Sequence, residues 1–181
     1  LEVFDYGCGR GDDVGVLSAA GLTARGWDPH YAPNAQIVEA DLVNLGYVLN
    51  VIEDPSERAD ALRHAFGLTR QVLSIAVMLV GQGDTTGLKR HGDGYVTGRG
   101  TFQKYFAQEE ARTYIEEVIG VEAITVAPGT YLAFRDKVAE QRFLELRSRR
   151  RRDISHLLAI APPAPQAPPA YEQALLEEHR E

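Results

Sequence analysis

The chain has 181 residues, 26 acidic and 19 basic, for a formal net charge of −7, with 44% hydrophobic and 25% charged residues. These values suit one globular domain with room for a tail, and exclude a collagen-like repeat, a fully disordered chain and a uniformly basic nucleic-acid coat protein. The single cysteine excludes an internal disulfide and fits a reducing, cytoplasmic setting, and no apolar run reaches the ~18–20 residues that span a bilayer, so no membrane is expected among the partners.

In chain order, short β-type runs alternate with helical stretches up to about Asp136, the pattern of a parallel sheet covered by helices. The chain opens at Leu1, already entering a strand at residues 3–6, which predicts a piece of a longer protein. The turn Gly7-Cys8-Gly9-Arg10-Gly11 follows, then a helix to about Ala20, stopped by Gly21. Residues 23–27 form a second strand and 41–46 another. Asp54-Pro55-Ser56-Glu57 starts a helix, with Asp54 as cap and Pro55 at the first position, and Ala61, Leu62, Ala65 and Phe66 share its apolar face. Residues 71–80 read as a central strand buried on both faces. Residues 81–100 carry seven glycines in twenty positions without periodicity, a long loop of the kind that is functional or disordered. A helix over 108–119 turns Ala111, Tyr114, Ile115 and Val118 to one side, and 123–126 with 130–134 predict a closing hairpin. The domain is set at 1–136, an Arg-rich helical extension at 137–160, and a Pro-rich linker with a short terminal helix at 161–181.

A strand, a glycine turn and a helix N-terminus together let backbone N–H groups approach a ligand closely. The pattern Asp5-Tyr6-Gly7-Cys8-Gly9-Arg10-Gly11 lacks the G-x-G-x-x-G spacing of dinucleotide sites. Asp12 and Asp13, which open the next helix, would repel a phosphate there. A ligand with a cationic centre, an amine and a neutral nucleoside fits better, and S-adenosylmethionine has that chemistry.

With these residues the sequence resembles the class I S-adenosylmethionine-dependent methyltransferases. The resemblance implies an enzyme with a Rossmann-like, mostly parallel α/β sheet, helices on both faces and a C-terminal antiparallel hairpin. It implies cofactor contacts from Asp5, Gly7, Gly9, Gly11 and Asp28, with both oxygens of Asp28 accepting the ribose hydroxyls. Only twelve residues separate Asp28 from Asp41, so the third β-unit is shortened and the adenine contact is unassigned; Trp27, Pro29 and Tyr31 are near enough to wall a purine. The runs 5–13, Gly26-Trp27-Asp28-Pro29, 40–55, Gly92-Asp93-Gly94 and Thr101-Phe102-Gln103-Lys104-Tyr105 are more narrowly similar to methyltransferases associated with bacterial DNA phosphorothioation systems. That likeness implies a DNA-modification setting, with DNA or other DNA-modification proteins as partners.

For the acceptor, amino-methyltransferases commonly place a polar residue, two prolines and an aromatic after the fourth strand. Asn44-Leu45-Gly46-Tyr47 matches the two ends without the prolines. Asn44 and Tyr47 are therefore candidate catalytic residues, or else a strand-end tie and a packing residue. Cys8 lies in the cofactor turn, so no cysteine follows that strand to serve as a carbon-methylating nucleophile. Arg99, Lys104 and Tyr105 are candidate acceptor contacts on a loop expected to be mobile when empty, the alternative being a solvated loop. His91 has no partner at a readable spacing, and no metal-ligand pattern is present. The arginines between 142 and 152 suit phosphates, an acidic partner or solubility. Three function classes stand open: methyl transfer to nucleic acid or a component of a DNA-modification system, a non-catalytic scaffold of the same fold, and methyl transfer to a small molecule or protein.

Overall fold

The structure, a computed structural model, describes residues 1–158. Its chain divides into two compact units, Leu1–Gln141 and from Arg142 onward. The first unit holds a six-stranded sheet of β1 (Glu2–Tyr6), β2 (Thr23–Trp27), β3 (Ala40–Gly46), β4 (Thr69–Ala76), β8 (Ala123–Ala127) and β9 (Thr130–Phe134), in the order β2-β1-β3-β4-β9-β8. The first four are mutually parallel, and β9 runs antiparallel to both β4 and β8. Helix α1 (Asp12–Ala19) links β1 to β2 and α2 (Pro55–Gly67) links β3 to β4, stepping outward in opposite directions. Right-handed crossovers then put these helices on opposite faces, and the order reverses at β1, where open α/β sheets form a ligand crevice.

Residues 29–39 contain neither helix nor strand, so the third β-unit, expected to be shortened, contributes no strand to the sheet. The main core lies on the α2 side. Phe4, Val43, Leu45, Leu73 and Ile75 from the strands meet Leu62 and Ala65 of α2 and Ile115 of α3 (Gln108–Ile119), all fully buried. The opposite face of β4 carries Val72 and Ser74 at intermediate burial, so this strand is deeply buried on one face only, against the expectation of two. Asp54 caps α2 by accepting the Ser56 and Glu57 N–H groups, as the sequence predicts. Helix α4 (Lys137–Leu158) carries Arg147, Arg149 and Arg150; the Pro-rich linker and terminal helix expected at 161–181 lie outside the described residues.

Residues 81–105 depart most from expectation. They hold a separate antiparallel sheet of β5 (Lys89–His91), β6 (Gly94–Val96) and β7 (Phe102–Gln103). Charge pairing fastens it to the body. Arg58 of α2, 2% exposed, grips Asp93 in the β5–β6 turn with both terminal nitrogens, at 2.7 and 3.1 Å, and donates through Nε to the Ile52 carbonyl. Lys104, 7% exposed, adds bonds to Asp93 and to Glu110, whose other oxygen accepts the Ala107 N–H at the start of α3. The buried Asn50 amide joins the Lys104 carbonyl to Met78, and His91 meets Glu53. A cationic segment expected to move freely is thus anchored at both ends by groups whose desolvation is compensated only in the docked arrangement.

The Arg58 guanidinium holds the Asp93 carboxyl at about 2, below its usual 3.8, despite partial burial. Asp93 therefore contributes stability that is fully present above 3.8 and is lost as pH falls towards 2. Asp93→Asn is expected to lower stability near neutral pH by about 2 kcal/mol, less than the usual ~3–5 for a broken buried pair because Asp93 is 38% exposed and partly screened. Thermal melts at pH 7 and pH 2.5 check this: the gap between wild type and variant should narrow at the lower pH.

Candidate functional site

The glycine turn takes its shape from positive φ angles at Gly7, Gly9 and Gly11, a region other residues seldom enter. A methyl group at Gly7 would strike Val48, and one at Gly26 would come within 2.7 Å of the Cys8 Cβ and 2.9 Å of Val14 in α1. Gly26 thus admits the turn and α1 against β2, which explains the small Cys8 beside it. Desolvation, with help from Asp5 and Asp28, raises the Cys8 thiol pKa and leaves it a packing group.

Asp28 ties the turn to the end of β2. Its Oδ1 accepts the His30 and Tyr31 N–H groups at 2.8 Å each, and its Oδ2 accepts the Gly9 N–H at 3.0 Å. Burial alone would raise its pKa, but these three bonds together lower it, so it is ionised at neutral pH. A carboxylate offers about four lone-pair positions, so Oδ1 is saturated and Oδ2 keeps one. The resemblance implies both oxygens as acceptors for ribose hydroxyls; in the structure Oδ1 already carries two backbone donors and Oδ2 one. Asp5 lies beneath the turn on the α1 side, buried, with Oδ1 accepting the Asn44 amide at 2.9 Å; burial raises its pKa.

A cavity of about 650 Å³ opens at the strand ends, where the sheet order reverses. Gly7, Asp28 and Tyr47 meet there, with Trp27 and Pro29 on one side and Val48, Val51 and Ile52 on another. Tyr47 is 54% exposed at the rim and has φ 61, the one non-glycine residue with positive φ among the described residues. Strain of this kind clusters at ligand sites. Gly9 and Gly11 line a neighbouring concavity with Arg10 and Tyr31, whose side chains stack at 5.5 Å. Tyr31 thus lines this neighbouring concavity and not the cavity that Trp27 and Pro29 wall.

The other sequence-selected residues do not converge on this cavity. Asn44 spends its amide on Asp5 and positions that acid. Lys104 is committed to Asp93 and Glu110, and Tyr105 packs over Gly83 and beside Tyr95, so both hold the small sheet in place. Arg99 is exposed in the β6–β7 turn. Two cavity residues, Asp60 and His64, escaped the sequence reading, Glu57 was read only as part of the helix start, and Ala61, expected in the core face, lies among them. The signal was the helical spacing 57, 60, 64, overshadowed by the apolar stripe beside it. Among the described residues no group of His, Cys, Asp or Glu is arranged to hold a metal, and no helix is long and apolar enough to cross a membrane.

No family model and no curated protein matches the chain. Solved structures do. The chain is similar to 1,6-didemethyltoxoflavin-N1-methyltransferase of Burkholderia thailandensis, solved with bound 1,6-didemethyltoxoflavin and S-adenosylhomocysteine, at 16% identity and TM-score 0.51 over 74% of this chain and 70% of that one. It is similar to magnesium protoporphyrin IX methyltransferase of Synechocystis, solved with S-adenosylhomocysteine, at 18% identity and TM-score 0.50 over 74% of each chain. An S-adenosylmethionine-dependent methyltransferase of Methanosarcina mazei matches at 15% identity and TM-score 0.51, over 74% of this chain and 91% of that one. At these identities the likeness establishes the fold, an α/β methyltransferase fold, with the small antiparallel sheet beside it.

Gly7→Ala combines a left-handed backbone with a collision against Val48. It is expected to cost at least about 1–2 kcal/mol of stability, read as a lower denaturation midpoint, while Gly15→Ala in α1, where a methyl meets open space, leaves the midpoint unchanged or higher.

Proposed function

We propose that the chain binds S-adenosylmethionine in the cavity of Gly7, Asp28, Trp27 and Tyr47 and transfers its methyl group to an acceptor presented at the Tyr47 rim. The observation that carries this reading is the Asp28 carboxylate, which fastens the glycine turn yet keeps an open acceptor position at the cavity. The residues present fit the cofactor: glycines make a cradle that a side chain would fill, and no cationic side chain lines the cavity to repel a sulfonium. When bound, the cofactor supplies a methyl group activated by positive sulfur. Asp28 Oδ2 would take one ribose hydroxyl, Gly7 would admit the chain close to its backbone, and Asp5 would set a negative field under the turn. Val48, Val51 and Ile52 would exclude water. The exposed Tyr47 ring would stack on a flat acceptor beside the transfer point.

For the acceptor we propose a base of DNA, within a DNA-modification setting of the phosphorothioation type. The sequence resemblance supports it, as do the exposed cations Lys89, Arg90 and Arg99 on the small sheet, with Arg90 stacked over Tyr95 at 5.9 Å. A second reading, a small planar molecule, is favoured by Glu57 and Asp60 at the cavity, which would repel a phosphodiester.

Calorimetric titration tests the cofactor reading: Asp28→Ala is expected to weaken S-adenosylhomocysteine binding by about 1–3 kcal/mol, and unchanged affinity would remove Asp28 from the site. Transfer of labelled methyl to duplex and single-stranded DNA, compared with planar heteroaromatic compounds, separates the two acceptors. Arg99→Ala should weaken transfer to DNA alone.

A further inference from the structure

Without a third β-unit, residues 29–39 offer no strand end from which a side chain could reach the purine of a bound nucleoside. The wall that stands there is α2. Besides Asp28 and the two tyrosines, the ionisable groups lining the cavity are Glu57, Asp60 and His64, all from this helix. Resting on the cofactor reading above, we propose that Asp60 and His64 recognise the adenine base of the cofactor, replacing the missing strand.

Asp60 and His64 are four residues apart, so their Cβ atoms lie about 5–6 Å from each other on one helix face. Asp60 Oδ1 accepts from Arg63 at 2.8 Å, and Oδ2 is left to accept another donor. The His64 Nδ1 faces the Tyr6 hydroxyl at 3.1 Å, and the two rings meet edge to face. Tyr6 is 7% exposed and packs against Trp27 at 5.1 Å between centroids. With the hydroxyl donating to Nδ1, the proton of neutral His64 sits on Nε2, which becomes a donor. The helix then presents one acceptor, Asp60, and one donor, His64. Adenine offers the complement, an exocyclic amine that donates beside a ring N1 that accepts. Trp27 and Pro29 on one side and Val48 and Ile52 on the other supply apolar walls for a flat ring. Tyr6 acts as a positioning residue that sets the tautomer.

A 6-oxo base inverts both positions: its oxygen accepts where the amine donated, and its N1–H donates where N1 accepted. It would confront Asp60 with an acceptor and His64 with a donor, a mismatch more costly than a lost contact. The experiment titrates the protein with S-adenosylhomocysteine and with its inosine counterpart, followed by calorimetry. Wild type is expected to prefer the adenine compound by at least about tenfold. Asp60→Ala and His64→Ala, both at exposed helix positions, should each shrink that preference, and the double variant should bind the two compounds within about twofold. In Tyr6→Phe, the imidazole nitrogen shifts of His64 should move from the Nε2–H pattern to a mixture, a change that loss of packing alone would not produce. A wild type that binds both compounds equally, or a double variant that keeps the preference, overturns the assignment while leaving the cofactor reading intact. A wild type that binds neither compound overturns both.

Discussion

The Asp28 carboxylate is the constraint on which the cavity end of the molecule depends. Three backbone N–H groups, from Gly9, His30 and Tyr31, converge on it, so the glycine turn after β1 and the turn after β2 are held by one side chain. A turn with three positive φ angles has little packing of its own, and its shape must be imposed from outside. The parallel register that brings Tyr6 beside Trp27 delivers the two turns to the same edge. Bonds from the Gly7 and Cys8 N–H groups to the Trp27 carbonyl close the junction. The same arrangement makes room for Val48 over Gly7, and so shapes the cavity floor.

A second constraint acts between α2 and the small sheet. Arg58 is a buried cation in a helix whose apolar stripe is otherwise ordinary, and Asp93, 35 residues further on, answers it. Lys104, Glu110 and Asn50 extend the network until the small sheet, the start of α3 and the end of β4 share one set of polar contacts. Partly satisfied, such a network would cost more than an apolar contact; fully satisfied, it specifies one docking geometry. Arg99 at the β6–β7 turn lies apart from these ties. The small sheet is therefore already fixed over most of its extent.

Much of this was legible in the sequence, for reasons that differ by element. Asp54-Pro55 announced the start of α2 because a cap and a proline are local signals, and residues 108–119 announced α3 through helical periodicity. Acid, glycines and acid at Asp5, Gly7, Gly9 and Asp28 marked the turn at the strand ends, because that spacing reflects backbone approach and not long-range packing. The strands β5 to β7 gave no such signal. They are two or three residues long, lie in a glycine-rich segment, and owe their order to Arg58 and Asn50, far away in sequence. For the same reason Lys104 read as an acceptor contact on a mobile loop, whereas its ammonium is paired with Asp93 and Glu110. The α2 wall of the cavity was hidden because its importance comes from what is absent, the third β-unit, and only the assembled sheet shows which element stands in that space.

The central claim is that Gly7, Gly9 and Asp28 form a nucleoside-binding edge of which the α2 face is the base-side wall. Amide and side-chain nuclear magnetic resonance spectra of the labelled protein, recorded during titration with S-adenosylhomocysteine, test it most directly. The account predicts saturable shifts at the Gly7, Gly9 and Asp28 amides, the Trp27 indole, Val48 and His64, with β8, β9 and α3 unmoved. Saturable shifts centred on the small sheet or on α3, or no shifts at all, would contradict it.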